Sequence, residues 1–281
     1  AEAARLGHDV TLFEATDELG GQLNLARAAP GKNEFNETLR YYTGQMRKHG
    51  AKLRLGQRAQ ADDLEGFDHV VIATGVVPRI PDLPGIDHPS VATYAEILSG
   101  ARVAGETVAV MGAGGIGHDV AEFLVTEPAE VHNTGTFCST WGVDPEFAAP
   151  GSLVSDPLAP KPSRRRVVML QRKTSKPGVG LGVSTRWILR NALRKHGVEA
   201  LCGVVYDSID DDGLHILLDG KPRVIAVDTI ILCTGQEPER SLADELASRG
   251  VAVTMIGGAK EAAELDALRA IDEGVRLAQS F

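Results

Sequence analysis

Apolar residues along this chain alternate between short unbroken runs and longer stretches in which they recur every three or four positions, the pattern of strands followed by helices. The first run, Asp9 to Glu14, reads as a strand ending on an acid, and Gly7 before it reads as the stop of a helix. From Lys32 to His49, Phe35, Leu39, Tyr42 and Met46 share one helical face, which Gly50 closes. Strands follow at Lys52–Leu55 and His69–Thr74, then a proline-rich surface crossing from Val77 to Gly85. A second series opens near Thr107 with a strand at Val108–Met111, a glycine loop from Gly112 to Gly117 and a helix over Ile116–Val125. Thr126 to Ser163 is rich in Pro, Gly, Ser and Thr, which predicts an irregular insertion. The sheet resumes at Arg166–Leu170, and a helix is predicted over Leu181–Lys195. Leu214–Leu218 and Arg223–Val227 flank Asp219 and Gly220, a hairpin signal. A buried strand at Thr229–Thr234, a strand at Val251–Ile256 and a last helix over Leu265–Gln279 complete the pattern. Alternation of this kind predicts α/β domains built on parallel sheets.

Composition narrows the class. A chain of 281 residues, 43% hydrophobic and with 31 glycines, can bury a large core and suits two domains better than one. A net charge of -9 argues against a general nucleic-acid binder, because no excess positive field is present to neutralise phosphates. No run of about 18 apolar residues occurs and the start lacks a signal-peptide pattern, so a cytoplasmic protein with no membrane partner is expected. Cys138, Cys202 and Cys233 form no C-x-x-C pair, which removes a dithiol redox site and a four-thiolate cluster and leaves inert thiols. No metal site is expected.

The strongest local motif is Gly112-Ala113-Gly114-Gly115-Ile116-Gly117, which follows a strand and opens a helix as a dinucleotide-binding loop must. Gly112 permits the tight turn, Gly114 lets a pyrophosphate approach the backbone, and Gly117 lets helix and strand pack closely. Gly115 belongs to the same loop, and Ile116 opens the helix whose N-terminus faces the phosphates. The next strand ends in Gln171, Arg172 and Lys173, where an NAD site would carry an acid, so the two cations favour NADPH; the plainer alternative is a solvated strand margin. Glu14 is the acid of another such unit, and that acid lies roughly 20 residues beyond its own glycine loop. Counting back places the loop before Ala1, so the first βα unit is expected to be truncated. Val70 to Gly75 and Ile230 to Gly235 echo each other, each strand ending in Thr-Gly. Two Rossmann-like domains, one for FAD and one for a nicotinamide inserted in it, follow. The FAD domain is placed at residues 1–100 and 236–281, and the NADPH domain at 101–235.

At this level of detail the chain resembles the C-terminal half of NADPH-dependent 2,4-dienoyl-CoA reductase. The resemblance is carried by Gly20-Gly21-Gln22-Leu23-Asn24-Leu25-Ala26, Pro30-Gly31-Lys32, Leu39-Arg40-Tyr41-Tyr42, Phe137-Cys138 with Trp141-Gly142, and Val168 to Lys173. It continues through Lys176-Pro177-Gly178, Asp210 to His215, Gly235-Gln236-Glu237-Pro238, Ile256-Gly257-Gly258 and Glu264 to Ala267 with Arg269, Ala270 and Gly274. It covers essentially the whole chain.

The resemblance implies a flavoprotein in which an N-terminal β/α barrel holds FMN, a 4Fe-4S cluster and the enoyl-CoA substrate, while the C-terminal half holds FAD and NADPH. This chain would be the electron-input half, with the barrel half as its partner and unsaturated fatty acid β-oxidation as its setting. Glu14 would hold the FAD ribose and Gly20, Gly21 and Gln22 would line the flavin. Ala73, Thr74 and Gly75 would pass close to it, as would Gly257 and Gly258, and Thr234 and Gly235 would belong to the nicotinamide domain. Where many two-dinucleotide flavoproteins place an Asp after Gly near the last helix, this chain has Gly257-Gly258-Ala259-Lys260, so backbone amides carry that contact or Asp266 takes part. His118 reads as a helix-surface histidine, and no residue reads as a general acid or base, since the cofactors supply the chemistry. Two other readings stay open: an amine dehydrogenase relative, and a non-catalytic nucleotide-binding or assembly module.

Overall fold

Two compact units make up the chain in a computed structural model that describes residues 1–154, 161, 163–263 and 266–281. The first comprises Ala1–Arg27, Glu34–Val77 and Gln236–Phe281, and the second Ala28–Asn33 and Pro78–Gly235. The sequence placed this division at residue 100. The chain passes into the second unit earlier because the strand Val91–Thr93 pairs with Thr229–Leu232, and the helix Tyr94–Leu98 follows it directly.

The second unit is built on a five-stranded, fully parallel sheet in the order Val91–Thr93, Thr229–Leu232, Thr107–Met111, Arg166–Gln171, Glu199–Cys202. Val108 through Met111 are all wholly buried, as expected of a central parallel strand covered on both faces. Helices Tyr94–Leu98 and Arg186–Lys195 both pack on Gly115–Val125, which also lies against the central strand Thr107–Met111 and its neighbour Arg166–Gln171. A three-stranded antiparallel meander supplies Ile209, Leu214, Ile216 and Ile225 to one core with Ala109, Met111, Val168, Leu170, Ile230 and Leu232. Its tight hairpin forms where expected, with Asp219 and Gly220 both at positive φ, 52° and 72°. The sequence reading passed over two strands here, Glu199–Cys202 and Val205–Asp210.

The segment from Thr126 to Ser163 is not irregular throughout. Helix Pro128–His132 starts on a capping box between Glu127 and Glu130, and helix Thr134–Trp141 starts where Asn133 accepts from Thr136 N at 2.8 Å. Gly142 ends the second helix at φ 63°. Pro128 and Gly142, of the residue types that suggested a loop, stand at the start of one helix and the end of the other, and Asn133 caps the second. Residues 155–160 and 162 of this insertion lie outside the described residues. The predicted helix over Leu181–Lys195 begins only at Arg186.

In the first unit, Thr11–Glu14 pairs in parallel with Lys52–Leu55, and Val70–Ile72 pairs in parallel with Val253–Met255. Helix Phe35–Lys48 forms as predicted, three residues shorter at its start and one at its end. Helix Ser241–Ser248, absent from the sequence reading, places Ala243 and Leu246 in a core with Ala61, Val70, Ile72 and Ala259. The last helix spans Ala267–Ala278; the predicted start at Leu265, like Glu264, lies outside the described residues.

Candidate functional site: two clusters of loops at strand ends

In the second unit, three neighbouring strands deliver their C-terminal ends to one edge. Met111 stands opposite Leu232 on one side and Leu170 on the other, so the loops that follow are adjacent. Gly112 N donates to Leu170 O and Cys233 N to Met111 O, each at 2.8 Å. Around Gly112–Gly117 therefore lie Thr234 and Gly235 on one flank and Gln171, Arg172 and Lys173 on the other. The insertion between Gly117 and Arg172 leaves this register untouched, because Arg166–Gln171 pairs with Thr107–Met111 along its length. Open α/β sheets bind ligands at this edge.

The glycines of the loop divide by what surrounds them. At Gly112, φ is 115°, and a β-carbon would overlap the Cys233 carbonyl; at Gly117 it would overlap the Gly112 carbonyl. Those two are required by packing. A β-carbon on Gly114 would meet nothing within 4 Å, although its φ of -83° suits any residue. That glycine keeps a space open at the start of the helix Gly115–Val125. No side chain caps that helix, and the N–H groups of its first turn lack helical acceptors. An open space at a helix start that no side chain caps among the described residues fits a dinucleotide diphosphate.

Arg172 and Lys173 are exposed just past the strand, where the Gln171 side chain donates to Lys173 O at 3.0 Å and to Ser175 O. The neighbouring basic run is used differently. Arg165 donates to Gly105 O and Leu124 O at 3.1 and 3.3 Å, so it serves the fold. Thr234 is clamped by Arg79, whose guanidinium donates to Thr234 O while Thr234 Oγ1 donates to Arg79 O at 2.8 Å. Burial pushes the Cys233 thiol up, and Cys138, Cys202 and Cys233 are all free.

His118 corrects its sequence reading. It is 1% exposed, with Nδ1 2.8 Å from Gly114 O. Helix Gly115–Val125 has Val120, Ala121 and Leu124 buried beside it, and a helix covered on more than one side has no free face to offer His118. That spread of apolar positions is the signal the sequence held.

In the first unit, Gln22 Nε2 donates to Val76 O at 3.2 Å and Gln22 Oε1 accepts from Gln236 Nε2 at 3.3 Å. Thr74 Oγ1 donates to Glu239 O, and Glu239 N to Gly75 O at 3.0 Å. The ends of Val70–Ile72 and Val253–Met255 lie side by side, Met255 opposite Ile72, so Ala73, Thr74 and Gly75 neighbour Gly257 and Gly258. Gly257 N donates to Glu273 at 2.8 Å, and Asp266 caps its own helix by accepting from Arg269 N at 2.7 Å. Beside Gly20 and Gly21, Asn24 Nδ2 donates to Leu19 O at 3.2 Å, while its buried Oδ1 lies against Gly20. Glu14 ends the other strand pair, where its Oε1 accepts from Thr16 N and Thr16 Oγ1, both at 2.9 Å. A cavity of about 590 Å³, which the sequence did not point to, adjoins that pair and is lined by Asp17, Glu18, Arg27, Arg40, Arg47 and Leu55.

Residues 1–265 match the family described as pyridine nucleotide-disulphide oxidoreductase. The chain is 28% identical over 284 residues to a metal reductase of Desulforamulus reducens, covering 98% of this chain and 41% of that protein. It is 29% identical over 280 residues to a bilirubin reductase of Mediterraneibacter gnavus, covering 97% of this chain and 38% of that protein. Among solved structures, a 2-naphthoyl-CoA reductase in complex with 2-naphthoyl-CoA superposes with a TM-score of 0.80 at 26% identity, over 99% of this chain and 37% of that one. The chain thus spans about two-fifths of the length of these relatives. Among the described residues no helix is long and apolar enough to cross a membrane. Two Rossmann-like units, the second inserted in the first, carry this match across nearly the whole sequence, and the chain belongs to the pyridine nucleotide-disulphide oxidoreductase family of FAD- and NAD(P)-binding oxidoreductases.

Proposed function

We propose that this chain is the electron-input module of a multi-cofactor reductase, taking hydride from NADPH onto FAD for the reduction of 2,4-dienoyl-CoA thioesters by a partner β/α-barrel part that carries FMN and a 4Fe-4S cluster. The observation that carries the NADPH half is the placement of exposed Arg172 and Lys173 just past the strand that neighbours the glycine loop's own strand, at the position where an acid would select NADH. Gly112, Gly114, Gly115, Ile116 and Gly117 hold the diphosphate, Arg172 and Lys173 the 2′-phosphate, and Thr234 and Gly235 border the nicotinamide side. Glu14, Gly20, Gly21, Gln22, Ala73, Thr74, Gly75, Gly257 and Gly258 hold FAD. When bound, the nicotinamide supplies a hydride and the flavin accepts it and passes the electrons on.

The protein's own part is to bind and align. Tyr206 Oη donates to Leu170 O at 3.0 Å, bracing the strand end that presents Arg172 and Lys173. Burial keeps that phenol protonated. Support for a thioester substrate comes from the likeness to 2-naphthoyl-CoA reductase, which shares most of this chain. The metal and bilirubin reductases share it too, so the substrate is set by the part that differs.

The test is anaerobic mixing of the FAD-loaded chain with NADPH or NADH, followed by flavin absorbance. NADPH should bleach the flavin at a lower half-saturating concentration than NADH. Exchanging Arg172 and Lys173 for Ala should raise that concentration for NADPH by roughly ten- to a hundredfold and leave NADH within about twofold. Equal effects on both nucleotides would sink the assignment.

A further inference from the structure

The helix behind the glycine loop carries a buried imidazole for which nucleotide binding, as described, has no use. A carbonyl oxygen only accepts, so the contact of 2.8 Å between His118 Nδ1 and Gly114 O puts the hydrogen on Nδ1. The same carbonyl accepts from His118 N at 3.0 Å. Two donors on one carbonyl fix the plane of the Gly114–Gly115 peptide. In a trans peptide the N–H points opposite to the C=O, so Gly115 N–H is aimed out of the helix start, towards the space left open at Gly114. The other edge of the ring meets Gly178, where a β-carbon would lie 2.9 Å from His118 Nε2, and Gly178 N donates to Ala113 O at 3.2 Å. One side chain thus ties the glycine loop to the segment that follows Arg172 and Lys173.

We propose that His118 is a positioning residue for the dinucleotide phosphates: neutral in the free protein, it holds Gly115 N–H towards the diphosphate and takes up a proton on Nε2 when the diphosphate binds. This rests on the reading of Gly112–Gly117 as a phosphate loop. In the free protein burial disfavours the cation most, with Arg190 and the positive helix start acting in the same direction. The Gly114 carbonyl and Asp119, itself paired with Lys32 at 2.6 Å, act against them. The balance holds the ring below the usual histidine range. An anion at the helix start favours the charged ring, so binding raises its affinity for a proton, and by reciprocity a lower pH tightens binding. The proton comes from solvent, and the Nδ1 bond to Gly114 persists in both forms.

Titration calorimetry of the full chain with ADP-ribose, whose diphosphate has no group titrating near neutral pH, tests this in two buffers of different ionisation enthalpy. Wild type should take up a fraction of a proton per ligand near pH 6.5 and bind more tightly at pH 6 than at pH 8. His118→Gln keeps a donor for Gly114 but cannot titrate. It should bind within about twofold of wild type at pH 8 and take up no proton. His118→Phe should bind roughly three- to tenfold more weakly, also without uptake. Absence of uptake in wild type, or equal uptake in His118→Gln, overturns the proposal while the phosphate loop stands. A wild-type chain that binds neither ADP-ribose nor NADPH overturns both.

Discussion

Glu122 lies three residues beyond Asp119 on the helix that follows the glycine loop, and its environment is hostile to charge. Burial raises its carboxyl most and Asp119 raises it further, while Lys32 opposes them, leaving it at about 7. In the unfolded chain a glutamate releases its proton near pH 4.3. Between those values the unfolded state has lost a proton that the folded state retains, so stability falls as pH rises from about 4.3 to 7 and stays reduced above that. Glu122→Gln removes the penalty. Its urea midpoint at pH 8 should correspond to a gain on the order of 2 to 3 kcal/mol over wild type, largely gone at pH 5. A gain that does not change with pH would show that burial of the ionised group is not the cause.

At the scale of elements, the junction between strand Thr107–Met111 and helix Gly115–Val125 separates glycines that packing requires from one that leaves a space open. A β-carbon at Gly117 would collide with backbone, the Gly112 carbonyl, and backbone cannot swing aside as a side chain can. Gly117→Ala should therefore cost at least about 2 kcal/mol in urea denaturation. Gly114→Ala meets open space and should cost under about 1 kcal/mol, the penalty of a poorer helix start, yet weaken NADPH binding by roughly tenfold or more. Loss of stability at Gly114 with binding intact would reverse the two roles. This loop was legible in the sequence because its glycines answer to local rules of turn and helix start. The two short insertion helices were not, since Pro128, Asn133 and Gly142 serve equally as loop formers and as caps, and only the partners they found decide. Strand Val205–Asp210 hid for another reason: its register against Gly213–Leu218 shifts at Asp207, an extra residue between Tyr206 and Ser208, and this bulge breaks the apolar alternation between Tyr206 and Ile209. The burial of His118 was signalled only by the spread of apolar positions around its helix, because the residues that cover it, Gly178 among them, lie far along the chain.

For the molecule as a whole, each unit presents its candidate residues at the C-terminal ends of parallel strands. The two sites draw on different stretches of sequence. Gly112–Gly117, Gln171–Lys173 and Thr234–Gly235 belong to one unit; Glu14, Gly20–Gln22, Ala73–Gly75 and Gly257–Gly258 belong to the other. The echo between Val70–Gly75 and Ile230–Gly235 has a structural basis, because both strands end beside a parallel neighbour, Val253–Met255 in one case and Thr107–Met111 in the other. A ligand that orders a loop slows hydrogen exchange at the amides it occupies. Exchange followed along the full chain should therefore separate the two nucleotides. NADPH should protect amides 113–118 and 172–178, and FAD those at 20–24, 73–76 and 257–259. The Gly257 amide is informative on its own, since it already donates to Glu273 and should gain less from FAD than Gly258 does. NADPH protecting residues 20–24 while leaving 113–118 unchanged would exchange the two sites and defeat the assignment of the glycine loop to the nicotinamide.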